Sequence, residues 1–100
     1  MAEPANIANN AAARAALRPV NWERFVTVMT NMGFGHDPDT PGSSVRFTPP
    51  PERGPPITFH KPHPDPTLYP NHIRAFGKRL KDNYGWTEEE LLTFNRSLGV

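Results

Sequence analysis

The chain has 100 residues, of which 36% are hydrophobic and 10% are aromatic, so it can bury one modest core but not two. It contains no cysteine, which excludes disulfides and thiolate metal sites and favours a reducing compartment. No apolar run approaches the roughly 20 residues that cross a bilayer, and the start of the chain lacks the pattern of a signal peptide. We therefore expect a single soluble, cytoplasmic domain that makes no membrane contact.

The formal net charge is +1, but the charges are unevenly distributed. Residues 52–81 carry six basic and two acidic side chains, whereas residues 82–100 carry one basic and four acidic ones. A basic segment suits local contact with phosphate, while the near-neutral total argues against tight binding of a long polyanion. A solvated helix face would explain the same charges.

The first long helix is predicted between Asn21 and Gly33, after an alanine-rich arm. Residues 1–18 contain little that could be buried, so we interpret them as a disordered or frayed arm and residues 19–100 as one domain. Asn21 is placed to cap the first turn with its side chain, and Gly33 to close the last turn in a left-handed conformation. The apolar residues that recur at helical spacing are Phe25, Val28, Met29 and Met32.

Two alternating segments then predict paired strands. Phe34 can begin a short first strand, and residues 43–48 alternate with Val45 and Phe47 on one face. Five prolines between residues 49 and 56 predict an exposed loop, because proline lacks the N–H that a central strand needs. Residues 57–60 resume the alternation, which predicts an antiparallel partner for the preceding strand.

The remaining elements are helices. Residues 71–84 show helical spacing that includes Gly77, which we expect to allow close approach to the sheet. Thr87 and Glu90 have the spacing of a capping box for a short third helix. The predicted fold is α+β: a small antiparallel three-stranded sheet with helices on one face, in α-β-β-β-α order, plus a short C-terminal helix.

The densest group of reactive side chains lies between Phe59 and Pro66. His60, His63 and His72 fall within thirteen residues, and imidazole exchanges protons near neutral pH, as metal-independent RNA cleavage requires. His60 and His63 point to opposite faces of a regular strand, so they converge only if Pro62 turns the chain. His63 has the more irregular setting, and His72 sits near a helix start that disfavours its charged form.

Two other interpretations of this segment stay open at this point. The histidines can simply hydrogen-bond to loop carbonyls or lie in solvent. His60, His63 and Asp65 have donors that suit zinc, but the chain lacks both thiolates and a helical His-x-x-x-His pair. We predict neither a metal nor a cofactor, since no glycine-rich phosphate loop or catalytic carboxylate pair is present.

Several motifs resemble those of the HicA-type toxins, which are small mRNA interferases of prokaryotic toxin–antitoxin pairs. Met32-Gly33-Phe34 is similar to the apolar-Gly-Phe end of the family's first helix, and residues 42–47 resemble its Gly-Ser-His strand opening, with Ser44 where many relatives have histidine. Residues 57–63 resemble the strand that ends in the family's active histidine. Residues 85–91, Gly-Trp-Thr-Glu-Glu-Glu-Leu, resemble its closing motif.

The resemblance implies a fold like the double-stranded RNA-binding domain and an endoribonuclease that cleaves RNA by transesterification. His63 is the best counterpart of the family's catalytic histidine, and His60 is the alternate if the register slips. The implied partners are RNA and an antitoxin-like protein that covers the histidine. A non-catalytic RNA- or protein-binding module that keeps this fold is the second hypothesis. The predicted RNA-binding residues are Lys61, Arg74, Lys78, Lys81 and Arg46.

Overall fold

The computed structural model describes residues 17–39 and 42–99, so most of the predicted N-terminal arm lies outside the described residues. The structure confirms the α+β class and the three-stranded antiparallel sheet. Within the described residues, no helix has the length and apolar character needed to span a membrane. In chain order the elements are β1 Val20–Asn21, α1 Trp22–Asn31, β2 Gly35–Asp37, β3 Ser44–Thr48, β4 Ile57–His60, β5 Thr67–Leu68, α2 Pro70–Tyr84 and α3 Glu88–Gly99.

The main sheet has the strand order β2-β3-β4, which leaves β4 at an edge. Val45 and Phe47 of β3 are buried, and so are Ile57 and Phe59 of β4, as the alternation predicts. The side chains between them point to the opposite face, which the helices do not cover. This second face is polar, and its members on β3 and β4 are Ser44, Arg46, Thr48, Thr58 and His60.

The aromatic ring of Phe25, on α1, lies at the centre of the core and is fully buried. It contacts one ring from each strand of the β3–β4 pair and one from each of the other two helices, with centroid separations of 5.2 to 6.1 Å. Edge-to-face and tilted pairs at these distances are favourable beyond the area that they bury. The four partners are Phe47, Phe59, Phe76 and Phe94.

A small second sheet, which the sequence did not predict, ties the segment after β4 to the start of α1. β1 pairs with β5 through Val20 opposite Leu68, and the backbone N–H of Trp22 donates to the carbonyl of Pro66 at 2.8 Å. Leu68 is fully buried. The irregular segment that carries His63 is therefore anchored at both ends, by β4 before it and by β5 after it.

Three local predictions about the helices need correction. Asn21 is the N-cap residue of α1 but makes no side-chain capping hydrogen bond. The third helix is not short, since α3 has 12 residues. Gly77 approaches α3 and not the sheet, because a Cβ atom built on it would lie 2.9 Å from Leu91 Cδ1. The positive φ of Gly33, +97°, agrees with its predicted role.

The capping box at the start of α3 is present as predicted. The backbone N–H of Thr87 donates to Glu90 Oε1 at 3.0 Å, and the N–H of Glu90 donates to Thr87 Oγ1 at 3.1 Å. The first of these hydrogen bonds, followed by contact with Arg53, lowers the pKa of the Glu90 carboxyl below its ordinary value.

We expect Phe25→Ala to lower the free energy of unfolding by about 3–5 kcal/mol, because it removes a fully buried ring that joins four elements. That loss is a large part of the roughly 5–15 kcal/mol typical of a small domain. Urea denaturation followed by circular dichroism measures it. Leu92→Ala is the matched control, since Leu92 is 45% exposed on α3 and should change stability little. Equal effects of the two substitutions would contradict the central role of Phe25.

We expect Glu90→Gln to remove a contribution to stability that depends on pH. Because folding lowers the pKa of Glu90, the ionised carboxylate stabilises the folded state above its unfolded pKa of 4.5. This contribution is lost as the pH falls through the lowered pKa. The stability difference between parent and variant should therefore shrink below about pH 4.5, measured by urea denaturation at several pH values. The same stability difference between parent and Glu90→Gln at every pH would contradict this assignment.

Candidate active site

His60 ends β4 and lies on the uncovered face of the sheet. The backbone N–H of Lys61 donates to the carbonyl of Ser43 at 2.9 Å, so the ladder continues one residue beyond the strand. It follows that the neighbouring pair, Ser44 opposite His60, is a non-hydrogen-bonded pair, in which side chains lie closest. His60 Nδ1 is 3.4 Å from Ser44 Oγ. Ser44 therefore restrains the imidazole of His60 while the ring stays exposed.

His63 lies three residues further on, in the proline-rich segment between β4 and β5. Its side chain is exposed and lines a groove of about 640 Å³ with Lys61, Gly42 and Ser43. We call this the loop groove; its remaining lining residues are Pro62, Pro64 and Pro66. A histidine and a lysine thus line one open concavity with the residues that directly precede β3.

A second groove, of about 470 Å³, runs between α1 and the β2–β3 pair, and we call it the helix groove. It is lined by Trp22 and Val26 from α1 and by His36 from β2, and Lys61 lines it as well as the loop groove. The imidazole of His36 stacks on the ring of Phe47, with centroids 5.4 Å apart and an interplanar angle of 27°. Sequence reasoning missed His36 because only the β2–β3 register places it opposite Phe47.

The structure does not bring His60 and His63 into one site. His60 contacts Ser44 on the uncovered face of the sheet, whereas His63 lines the loop groove, and His60 is not among the residues that line it. A reaction in the loop groove would depend on His63, and one on the uncovered sheet face would depend on His60.

The predicted basic residues fall on three separate surfaces. Lys61 lines both grooves, and Arg46 is exposed on the uncovered sheet face. On α2, Lys78 pairs with Asp82 at 2.7 Å and Lys81 forms an ion pair with Glu88, while Arg74 is exposed. None of the α2 residues lines either groove.

Arg79, the last of the three arginines in residues 52–81, serves the fold. Its Nη1 donates to the carbonyl of Thr58 at 2.8 Å, and its guanidinium lies 4.7 Å from the centre of the Phe59 ring. Thr58 belongs to a non-hydrogen-bonded pair, so its carbonyl points out from the free edge of β4. Arg79 therefore caps the free edge of β4. The cation closest in sequence to His63 is Lys61, two residues before it.

Beyond His63, Asp65 organises the approach to α2. Its Oδ1 accepts a hydrogen bond from Thr67 Oγ1 at 2.6 Å, and its Oδ2 accepts one from the hydroxyl of Tyr69 at 3.2 Å. The hydrogen bond from Thr67 lowers the pKa of the Asp65 carboxyl, and the contact with Asp65 raises the pKa of Tyr69. The backbone N–H of Tyr69 donates to His72 Nδ1 at 3.0 Å, so His72 serves the helix start.

The described residues contain no group of three or more His, Asp or Glu side chains arranged to hold a metal ion. The set considered for zinc, His60, His63 and Asp65, is dispersed: His60 faces Ser44, and both oxygens of Asp65 accept hydrogen bonds from neighbours in its own loop.

Comparison with known proteins gives one match. The sequence pattern of a family described as the HicA toxin of bacterial toxin-antitoxin systems matches residues 22–82, well over half of the chain. Searches of curated proteins and of solved structures gave no match. The matched range begins at α1 and ends near the end of α2, so it includes the sheet, both grooves and all the histidines. The chain therefore belongs to the HicA toxin family of bacterial toxin–antitoxin systems.

Proposed function

We propose that this protein is an endoribonuclease that cleaves cytoplasmic RNA without a metal ion, with His63 as the proton-transferring group. The observation that carries the proposal is the loop groove, an open concavity that both His63 and Lys61 line. Membership of a toxin family gives a reason to expect a damaging activity. An antitoxin protein would then be the partner that covers this groove.

RNA cleavage by transesterification requires only a group that transfers protons, such as imidazole, and a cation that binds phosphate, such as ammonium. A neutral imidazole takes the proton from a ribose 2′-hydroxyl, and the 2′-oxygen forms a bond to the adjacent phosphorus. The bond from phosphorus to the 5′-oxygen breaks, and that oxygen takes up a proton, leaving a 2′,3′-cyclic phosphate and a free 5′-hydroxyl. A nearby ammonium group stabilises the charge that develops on the phosphate oxygens. In this assignment His63 moves the proton and Lys61 holds the phosphate.

The backbone around His63 supports a fixed position for its imidazole. The N–H of Lys61 is bound to the carbonyl of Ser43 on one side, and the carbonyl of Pro66 is bound to the N–H of Trp22 on the other. Prolines precede and follow His63, and each fixes its own φ angle. A catalytic group that is already held in place loses little further entropy on reaching the reactive geometry, and this lowers the barrier of the reaction.

A non-catalytic RNA- or protein-binding module is the second candidate. One observation favours it: within the described part of the chain the imidazole of His63 makes no hydrogen bond that would orient it, whereas catalytic bases are commonly oriented by a third group. His60 does have such a contact, through Ser44. A test of the ribonuclease proposal therefore compares RNA cleavage by variants of His60 and of His63.

We expect His63→Ala to reduce cleavage of a single-stranded RNA by about 10²–10⁴-fold, the usual contribution of a general acid–base group. The fold should persist because His63 is exposed, and an unchanged melting temperature would show it. The control is His36→Ala, which removes an exposed imidazole from the helix groove and should leave cleavage near the parent rate. Loss of cleavage in His60→Ala alone would move the role to His60. Parent-like cleavage by both His60→Ala and His63→Ala would contradict the catalytic role of histidine, and absence of cleavage by the parent protein would contradict the ribonuclease proposal.

We also expect cleavage to continue in excess EDTA, because neither proton transfer by imidazole nor phosphate contact by lysine involves a metal. The measurement is the rate of cleavage of the same RNA before and after chelation. Loss of activity in EDTA that Zn²⁺ restores would contradict this proposal and support a zinc-dependent hydrolase.

A further inference from the structure

Tyr69 is exposed but held in place. Its side chain is 44% exposed, at the junction between the fully buried Leu68 and the first residue of α2. Its hydroxyl donates to Asp65, its backbone N–H donates to His72, and its ring centroid is 6.0 Å from that of His72. An exposed aromatic ring with so few free torsions loses little conformational entropy when a flat group packs on it.

The hydroxyl of Tyr69 is held by the segment that carries the proposed reaction centre. The residue that holds its hydroxyl, Asp65, is only two positions after His63, and two residues of extended chain span at most about 7 Å. His63 and Asp65 belong to the anchored segment, and Tyr69 directly follows β5, which anchors the end of that segment. A nucleotide next to one whose phosphate sits beside Lys61 can therefore place its base near Tyr69.

We propose that Tyr69 is a stacking platform for a base of single-stranded RNA, adjacent to the phosphate that is cleaved. The inference deepens the proposed function and rests on it. Aromatic rings stack on any base, so this contact supplies affinity and positioning without a strict sequence preference. Asp65 is the positioning residue, because it holds the hydroxyl of Tyr69. Its ionised carboxylate also repels the RNA backbone. The backbone therefore stays beside Lys61 while the base faces the ring of Tyr69.

The surroundings of Tyr69 favour a base over a protein partner. Protein-binding surfaces usually present a contiguous apolar patch with a buried core. Among the described residues, the other large hydrophobic side chain that is exposed is Leu92, which lies on a different helix, α3. A lone, fixed ring matches the size of one base better than it matches a docking surface.

Binding of a short single-stranded 2′-O-methyl RNA that contains 2-aminopurine tests this inference. The 2′-O-methyl group removes the nucleophile, so binding is measured without cleavage, and stacking quenches 2-aminopurine fluorescence. We expect Tyr69→Ala to raise Kd by about 5- to 100-fold and to abolish the quenching, as alanine substitution of stacking aromatics does. Tyr69→Phe keeps the ring but loses the hydrogen bond to Asp65, so it should retain the quenching and raise Kd less than Tyr69→Ala does. Leu92→Ala, the matched control at equal exposure, should bind as the parent does.

The outcomes separate this inference from the proposed function. Parent-like affinity and quenching in Tyr69→Ala would overturn the stacking role, and would do so whether or not His63→Ala abolishes cleavage. If Tyr69→Ala kept RNA binding but lost binding of a purified antitoxin, the surface would belong to a protein partner and the inference would be wrong. A parent protein that binds no RNA at low salt would overturn both proposals.

Discussion

The ring of Phe25 is the point at which the two halves of the chain meet. It touches Phe47 and Phe59 in the hairpin and Phe76 and Phe94 in the two later helices. Because each of these rings belongs to a different element, the position of Phe25 sets the orientation of all of them at once. This packing positions β3 and β4, and the hydrogen bond from the N–H of Lys61 to the carbonyl of Ser43 joins the two strands where the grooves begin.

This arrangement puts every helix on one side of the sheet and leaves the other side polar and open. His60 and Arg46 belong to the open side, whereas Lys61, one residue later, belongs to the side that faces the grooves. The alternation of a strand thus separates two neighbouring reactive residues onto opposite faces. Arg79 covers the outward carbonyl of Thr58 at the edge of β4, which discourages a further strand from pairing there.

Elements whose signals are local could be predicted from the sequence, and contacts that depend on register could not. The alternation around Val45 and Phe59 and the capping box at Thr87 each arise within a few residues, and each is present in the structure. The β1–β5 pair has two residues per strand, too few to show a periodicity. Arg79 looked like one more charge on a basic helix, because its contact with Thr58 spans 21 positions.

The distribution of charge limits how RNA could be held. Lys78 and Lys81 are already paired with acidic neighbours, Arg79 is bound to the sheet, and Lys61 is the cation that lines the loop groove. Arg46 and Arg74 are exposed on other surfaces, so among the described residues one lysine lines the loop groove itself. Contact with that lysine releases few counterions, so the contribution of the groove to RNA affinity should depend only weakly on salt. Affinity must then come from contacts other than charge. Tyr69, an exposed aromatic residue whose hydroxyl is bound to the segment that carries His63, has the chemistry for such a contact.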